Sequence, residues 1–353
     1  MKKISEIDSN FKVDTKLDIA DIKFYDIENE PFEIYGVKKR DGIFSRMPYS
    51  VAEKVNDGVK ALYANSAGGR VRFTTDSSYV AINVIYRNVG KMPHFAFTGS
   101  IGFDMYVKDE NGKEVYERSF VPPVDIEDKF ESVVQFGESK SREITINFPT
   151  YSTVEKVCIG IADGSSLGEA RKYKINKPIV YYGSSITQGG CSSRPGNSYE
   201  SIVSRRLDAD YINLGFSGNA KGETVMADYI KELDMSVFVL DYDHNAPSLE
   251  HLEQTHEKFF KIIREAKPNL PIVMLSAPIF YPDSNWKKRR DVIETTYNNA
   301  VASGDKNVYF IDGKTLMKLA QNDGTVDNCH PNDLGFYSMA QAVGDMIEKI
   351  IGK

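Results

Sequence analysis

Asp327 and His330 stand three residues apart in the segment VDNCHPNDLG near the C-terminus. An aspartate at this spacing can accept a hydrogen bond from one ring nitrogen and fix the tautomer, which leaves the other nitrogen free to face a hydroxyl. A lone histidine in a capping turn is more often structural. The chain has only five histidines, however, and this one has a carboxylate within reach. The pair indicates acid–base chemistry at the loop that enters the last helix.

Two hydroxyl groups that such a base could serve follow a short apolar run in PIVYYGSSITQGG. Ser184 and Ser185 come directly after Gly183, and Gly189 and Gly190 follow them. A serine between a strand and a helix is about as often a helix N-cap as a nucleophile. The spacing is not the G-x-S-x-G elbow, which excludes the α/β-hydrolase arrangement.

Two further loops carry groups that could stabilise an oxyanion. Gly218, in NLGFSGNAKGE, could present a bare backbone N–H, and Asn245, in DYDHNAP, is a neutral side chain that can donate. Taken singly, each is better explained as a turn residue. Four loops that each bring one part of an acyl-transfer site are much harder to explain as a coincidence of turn residues. Together they predict acyl transfer to a serine.

The elements that must position these loops are predicted in the second half of the chain. Compact apolar runs alternate there with helical patterns, which is typical of a doubly wound parallel sheet with helices on both faces, an α/β/α arrangement. The clearest helical patterns are SLEHLEQTHEKFFKIIREAK and the final DLGFYSMAQAVGDMIEKIIG. In such sheets ligands bind at the carboxyl ends of the strands, where the four loops lie.

The first half of the chain has a different texture. Short stretches of alternating apolar and polar residues, such as YVAINVIYR and REITINFPT, predict an antiparallel β-sandwich, with a hairpin at Asn111-Gly112. We place the boundary in the polar segment 168–177, which gives a β-sandwich domain at 1–172 and a catalytic domain at 173–353. His94 is the only histidine of the first domain and has no neighbouring carboxylate, so we interpret that domain as support in cis.

The motifs YGSSITQGG, GFSGN, DYDHNA and DNCHPND resemble the four ordered blocks of the SGNH, or GDSL-type, hydrolase superfamily. The resemblance implies a flavodoxin-like fold with Ser185 as the nucleophile, His330 as the general base and Asp327 as the residue that orients the histidine. It also implies an oxyanion hole formed by the N–H groups of Ser185 and Gly218 and the side chain of Asn245.

The chain departs from the superfamily pattern at two positions. Ser184 stands where the motif usually has an aspartate, and Asp241 stands where a glycine is frequent. Both departures make the common lipase branch a poorer match. The segments RMP (residues 46–48) and GFDMY (residues 102–106) resemble the N-terminal β-domain named for its G-x-D-L-Y signature. Two-domain members with a jelly-roll-like module resemble carbohydrate acetyl-esterases, which implies a carbohydrate ester as substrate.

Three side chains are candidates for contacts with substrate. Arg194 follows the nucleophile loop, where it could meet a sugar hydroxyl or an acidic group, or form a salt bridge within the loop. Trp286, the only tryptophan, has polar neighbours that suggest a loop, where it could stack on a sugar ring. Tyr281 shares that interpretation, and the alternative for both aromatic residues is a place in the core.

Two rival chemistries are less well supported. Cys191 could form a thiol hydrolase with a histidine, but it lies beyond two glycines and out of phase with the strand end. His251 and His256 are five residues apart on a predicted helix and do not share a face, so we expect no metal site and no cofactor.

The bulk properties exclude some partners. A net charge of −6 and a pI of about 5.6 argue against nucleic acids and anionic membranes, although the run at residues 287–290 is basic and is interpreted as a solvated helix face. Three widely spaced cysteines and a polar N-terminal segment, MKKISEIDSNFKVD, favour a cytoplasmic protein without a secretory signal. A homo-oligomer is one of the open alternatives.

The sequence thus leads to one main functional hypothesis. It is a serine esterase that removes small acyl groups, above all acetyl, from imported oligosaccharides. The alternatives are a short-chain lipase or thioesterase of the same superfamily, and a carbohydrate-binding protein with a relict hydrolase domain. The presence of Ser185, Asp327 and His330 argues against the relict.

Overall fold

The structure is a computed structural model, and it describes residues 7–8 and 17–352. The prediction that the N-terminal segment is not a secretory signal concerns residues 1–14. Apart from residues 7–8, this segment lies outside the described residues. Among the described helices, each is too short or too polar to cross a membrane.

Residues 22–168 form two antiparallel sheets that pack face to face. One sheet has the strand order β1-β11-β6-β9, and the other has the order β12-β5-β10-β7-β8 with β2 paired to β5. A separate hairpin joins β3 and β4. The strands are β1 (Ile22–Asp26), β2 (Glu33–Tyr35), β3 (Lys38–Arg40), β4 (Ile43–Ser45), β5 (Arg70–Thr75), β6 (Tyr79–Asn88), β7 (Phe103–Lys108), β8 (Glu114–Phe120), β9 (Lys129–Gln135), β10 (Arg142–Asn147), β11 (Thr153–Ala162) and β12 (Leu167–Gly168).

The sandwich core comes from apolar residues on the facing sides of both sheets. Val80 and Ile82 of β6 and Ile144 and Ile146 of β10 belong to one buried cluster. Each fully buried side chain of this size stabilises the fold by roughly 1.5–3 kcal/mol. The apolar residues of each alternating stretch therefore face the core between the two sheets. The Asn111-Gly112 turn joins β7 to β8 as expected. We refer to residues 22–168 as the β-rich region.

Residues 175–351 form a five-stranded parallel sheet of order β14-β13-β15-β16-β17, which is the flavodoxin-like order predicted. Its strands are β13 (Ile175–Gly183), β14 (Ala209–Gly215), β15 (Val237–Asp241), β16 (Ile272–Leu275) and β17 (Val308–Ile311). Within residues 17–352 the α-helices are α1 (Tyr49–Val55), α2 (Asp57–Leu62), α3 (Phe97–Ser100), α4 (Ser185–Gln188), α5 (Tyr199–Leu207), α6 (Thr224–Lys231), α7 (Leu249–Ala266), α8 (Ser284–Ala302), α9 (Gly313–Leu316) and α10 (Asp333–Ile351).

Helices cover both faces of this sheet. On β13, Val180 and Tyr182 belong to the buried cluster that includes residues of α6, α7 and α8, whereas Ile179 and Tyr181 belong to the cluster that includes residues of α5 and α10. Successive residues of a strand point to opposite faces, so a strand buried on both sides reads as a continuous apolar run. This is the α/β/α fold, and we refer to it as the α/β region.

Arg46 anchors the β-rich region beneath the sheet of the α/β region. Its guanidinium donates to the carbonyl oxygens of Leu62 (2.8 Å), Asn213 (3.4 Å) and Gly215, and it stacks 4.5 Å from the centre of the Phe216 ring. Burial lowers the pKa of Arg46 to about 9. The RMP segment thus holds the end of β14, where one loop of the site begins.

Candidate active site

The chain from β13 into α4 places Ser185 at the start of a helix. Ser184 is the N-cap, and its Oγ accepts a hydrogen bond from the Ile186 N–H at 3.1 Å. Ser185 is the first helical residue, so its own N–H has no acceptor within the helix. A Cβ at Gly183 would lie 2.0 Å from Thr187 Oγ1, which explains the glycine. The serine that replaces the usual aspartate therefore still performs the capping function.

A continuous chain of hydrogen bonds joins Ser185, His330 and Asp327. Ser185 Oγ lies 2.9 Å from His330 Nε2, and His330 Nδ1 lies 2.7 Å from Asp327 Oδ2. The second carboxylate oxygen, Oδ1, accepts the backbone N–H groups of Cys329 (3.1 Å) and His330 (2.7 Å). One oxygen of Asp327 thus fixes the loop while the other orients the imidazole.

The surroundings of Asp327 favour its ionised form. Partial desolvation acts to raise the pKa of this carboxyl group, but the hydrogen bonds from His330 and Cys329 outweigh it and lower the pKa below its usual value. The carboxylate is therefore charged at neutral pH, as a residue that stabilises an imidazolium must be.

Two other strand ends bring the expected oxyanion donors to the same edge of the sheet. Gly218, after β14, has a φ of +69°, and a Cβ there would have no neighbour within 4 Å. Asn245, after β15, is 9% exposed, and its Nδ2 donates to the carbonyl oxygen of Phe216 at 2.8 Å. A side-chain amide has two N–H donors, so one is left for a ligand.

Asp241, the second departure from the superfamily pattern, lies beneath the nucleophile helix. Its Oδ2 accepts hydrogen bonds from Thr187 Oγ1 (2.9 Å) and from the Tyr199 hydroxyl (3.1 Å). Burial raises the pKa of Asp241 to about 7, although the two hydroxyl donors act to lower it. The sequence assigns this aspartate no role, and the structure places it as a support of α4.

The β-rich region contributes side chains to the edge of the site, which the sequence did not predict. The ring of His94 lies 5.8 Å from that of His330, and the ring of Phe95 lies 6.0 Å from it. Phe95 packs with Tyr151 and Cys191 in a small buried cluster. The segment carrying His94 has no motif of its own in a single sequence, so only the fold reveals its position.

The rival nucleophile Cys191 is in a poor environment for a thiolate. Its side chain is buried, and desolvation, followed by the charges of Asp327 and Cys329, raises the pKa of the thiol to about 12. A protonated thiol is a weak nucleophile. The geometry favours Ser185.

Arg194 differs from the expected substrate contact, because its guanidinium is used within the protein. It donates to Asp104 Oδ2 at 3.1 Å and to the Tyr106 hydroxyl, and it stacks 3.8 Å from the centre of the Tyr116 ring. Asp104 also accepts the N–H of Gly196 at 2.9 Å. The GFDMY segment therefore ties the loop that follows the nucleophile to the β-rich region, which is the salt-bridge alternative for Arg194.

Trp286 lies in the first turn of α8, not in a loop as expected. Its ring lies 4.8 Å from that of His244, the neighbour of Asn245, and lines a cavity of about 260 Å³ that also includes Arg290 and Asp312. Desolvation, followed by the charges of Arg289 and His330, lowers the pKa of His244 to about 4. A neutral imidazole therefore packs against Trp286 and directly precedes Asn245 in the chain.

Two further expectations concern Tyr281, a candidate substrate contact, and the basic run at residues 287–290. Tyr281 is 65% exposed, and its hydroxyl donates to Gln321 Oε1 at 2.9 Å. Arg289, within the basic run at 287–290, is buried and pairs with Asp243 at 2.8 Å, so that run is only partly a solvated face.

Comparisons with known proteins agree with this fold. Residues 176–348 match the GDSL-like lipase/acylhydrolase family, and residues 22–167 match the GxDLY N-terminus of SGNH-type esterases. A search of curated proteins found no match.

Several solved structures share the architecture over nearly the whole chain. A putative GDSL-like lipase from Bacteroides ovatus is 27% identical with a TM-score of 0.84, covering 94% of this chain and 98% of the other. The salicylyl-acyltransferase SsfX3 from a tetracycline biosynthetic pathway is 20% identical with a TM-score of 0.73 and the same coverage. An acetyl xylan esterase from the rumen bacterium Butyrivibrio proteoclasticus is 13% identical with a TM-score of 0.60, covering 94% and 99%. Since both parts of the chain match the two parts of one enzyme type, this protein belongs to the SGNH, or GDSL-type, hydrolase superfamily and carries a GxDLY-type N-terminal region.

Proposed function

We propose that the protein is a serine esterase that removes short acyl groups, above all acetyl, from carbohydrates through an acyl-enzyme. The observation that carries this proposal is the chain of hydrogen bonds from Asp327 through His330 to Ser185, with contacts of 2.7 and 2.9 Å. Such a chain activates a hydroxyl for attack on an ester carbonyl.

The proposed mechanism gives each of these groups one role. Ser185 Oγ attacks the ester carbon while His330 Nε2 takes its proton, and Asp327 stabilises the imidazolium. The oxyanion receives hydrogen bonds from the N–H groups of Ser185 and Gly218 and from Asn245. His330 then returns the proton to the leaving alcohol, and a water molecule activated by the same histidine hydrolyses the acyl-enzyme.

A preference for short acyl groups is supported by the crowding around the nucleophile. Phe95, Tyr151 and Cys191 form a buried cluster, and the Tyr151 hydroxyl donates to the Ser185 carbonyl oxygen at 3.3 Å. The aromatic rings stand next to both Ser185 and His330, so a long acyl chain would have to displace them.

A carbohydrate leaving group is supported by two observations. Several of the solved structures with this fold are family two carbohydrate esterases, at 11–16% identity, and another is an acetyl xylan esterase. Trp286 offers an aromatic face beside a cavity at the same edge of the sheet as Asn245, where a sugar ring could stack.

The direct test is hydrolysis of p-nitrophenyl acetate, butyrate and decanoate, followed by acetylated oligosaccharides, with product release measured for parent and variants. Ser185→Ala should abolish turnover, whereas the neighbouring Ser184→Ala should keep the reaction and lose about 1 kcal/mol of stability through the missing N-cap. Undiminished turnover by Ser185→Ala would refute the mechanism. A preference for decanoate would refute the assigned substrate and leave the mechanism in place.

A further inference from the structure

Three side chains from separate parts of the chain converge above the nucleophile. His94 comes from the β-rich region, Cys191 follows the nucleophile helix, and His330 precedes α10. One donor atom of each, a ring nitrogen or Sγ, lies within 4.8 Å of the other two. A tetrahedral Zn²⁺ bound at about 2.0–2.3 Å needs its ligand atoms about 3.4–3.6 Å apart, so a movement of roughly 1 Å would complete the set.

The side chains differ in how readily they can move. His94 is exposed and packs edge-on against Phe95, with ring centroids 4.6 Å apart, so its imidazole can rotate toward the other two ligands. Cys191 and His330 are held by the loops around the nucleophile. Two fixed ligands and one adjustable ligand suit capture of an ion that enters from solvent.

His330 already has the environment of a zinc ligand. Its Nδ1 faces Asp327 Oδ2 at 2.7 Å, so Nε2 is the nitrogen turned toward Ser185 and the cluster. Histidines that bind zinc commonly pair their other ring nitrogen with a carboxylate in this way, which fixes the ring and raises its basicity.

The backbone at Cys191 gives independent support for a role of its side chain. Cys191 has a φ of +69°, in the left-handed region, and directly follows Gly189 and Gly190. This conformation is unfavourable for a residue with a Cβ. Strain of this kind tends to occur at functional sites, and a cysteine is a choice that offers a soft ligand.

The geometry points to a regulatory metal site: a thiophilic divalent cation such as Zn²⁺ binds His94, Cys191 and His330 Nε2, with water as the fourth ligand, and inhibits the esterase reversibly. The Cys191 thiol releases its proton to solvent as the metal binds. The metal occupies the lone pair that His330 uses as general base, so Ser185 loses its proton acceptor. Hard cations such as Mg²⁺ prefer oxygen ligands and are not held. The inhibition, though not the binding, rests on the proposed function.

Binding is tested first, by calorimetry with Zn²⁺ and by absorption spectroscopy with Co²⁺ as a coloured substitute. We expect one site per chain and a thiolate-to-cobalt absorption band, both retained in Ser185→Ala, which is inactive in any event. Cys191→Ser should remove the band, and His94→Ala should weaken binding by at least roughly tenfold. His251→Ala is the matched control, because its ring bonds the Lys221 carbonyl oxygen on another loop.

Inhibition is tested with p-nitrophenyl acetate, each variant being compared with its own metal-free rate. Zn²⁺ should inhibit the parent and His251→Ala equally, His94→Ala at least tenfold less tightly, and a chelator should restore the rate. Unchanged Zn²⁺ affinity in both His94→Ala and Cys191→Ser would overturn the site. So would a cobalt band that depends on Cys329, since Asp327, Cys329 and His330 form the competing set. If the parent bound Zn²⁺ at this site but hydrolysed no ester, the proposed function would be refuted and the metal site would stand.

Discussion

At the scale of single residues, two carboxyl groups with different hydrogen-bond partners hold the candidate site together. Asp327 uses Oδ1 to hold two backbone N–H groups and Oδ2 to orient His330. Asp241 directs Oδ2 to two hydroxyl groups that brace the nucleophile helix. Substitutions that keep the shape of each side chain but change one oxygen therefore separate orientation from folding.

Asp327→Asn should lower kcat/KM by roughly 10³–10⁴-fold while the fold remains intact. The asparagine oxygen can still accept the Cys329 and His330 N–H groups, but its NH₂ then faces His330 Nδ1 and favours the tautomer that cannot accept the Ser185 proton. The measurement is kcat/KM with an acetyl ester, together with circular dichroism. Asp323→Asn, an exposed residue of the same loop, is the control, and an equal loss there would argue against a specific orienting role.

Asp241→Asn should change how stability depends on pH. Because the pKa of Asp241 is about 7 in the fold and about 4 in the unfolded chain, the folded state binds one more proton between these values. The contribution of this group to stability is therefore fully present below pH 4 and is lost as pH rises to 7. The parent should lose a few kcal/mol relative to Asp241→Asn over that interval, as measured by urea unfolding at pH 4, 5.5 and 7. Parallel curves for the two proteins would contradict a protonated Asp241.

At the scale of elements, the site is an assembly of strand ends. The sequence could be used to predict β13, β14 and β15 because each is a compact apolar run that ends at a glycine or an aspartate, and parallel strands deliver their loops to one edge. It could not be used to predict the contacts of Arg194, since its partners Asp104 and Tyr106 are about 90 residues away in the chain and no local pattern encodes them. Trp286 was misplaced because the polar residues around it also suit the first turn of a helix, where Asp283 caps it.

Gly218→Ala should separate the strain of a left-handed residue from the function of the oxyanion loop. Gly218 and Gly137 both have positive φ (+69° and +78°), and a Cβ at either would meet nothing within 4 Å. Each alanine should therefore cost about 1–2 kcal/mol of stability. Only Gly218→Ala should also lower kcat, by up to about 10²-fold, because its N–H shifts from the oxyanion. Urea unfolding and kcat with an acetyl ester test this, and equal kcat values for the two variants would remove Gly218 from the oxyanion hole.

At the scale of the whole molecule, the β-rich region reaches the candidate active site. It supplies His94 and Phe95 to the edge of the triad and Arg46 to the base of the oxyanion loop. The interpretation of this region as support in cis did not include these contacts. That interpretation rested on the absence of a carboxylate next to His94 in the sequence, whereas the residue that His94 meets in space, His330, belongs to the other half of the chain.

Asp104→Asn tests how strongly the two regions are coupled. Asp104 is fully buried, its Oδ1 accepts from Asn147 Nδ2 at 2.9 Å, and its Oδ2 accepts from Gly196 N–H at 2.9 Å and Arg194 at 3.1 Å. An asparagine has only one oxygen, so its NH₂ must face at least one of these donors, and Arg194 loses its charged partner. Breaking a buried pair in this way costs roughly 3–5 kcal/mol.

The loop at 193–197 leads from the nucleophile helix into α5, so Asp104→Asn should reduce kcat/KM even where the variant remains folded. Glu155→Gln is the control, since it breaks an exposed ion pair: the side chain of Glu155 is 39% exposed and that of its partner Arg87 is 57% exposed. This change should lower the free energy of unfolding by less than about 1 kcal/mol. Unfolding in urea and kcat/KM well below each midpoint are the two measurements. If Asp104→Asn lost stability but kept full kcat/KM, the tie would serve folding alone. If it lost neither, the G-x-D-L-Y signature would need another explanation, because this aspartate would then bear no part of the contact between the regions.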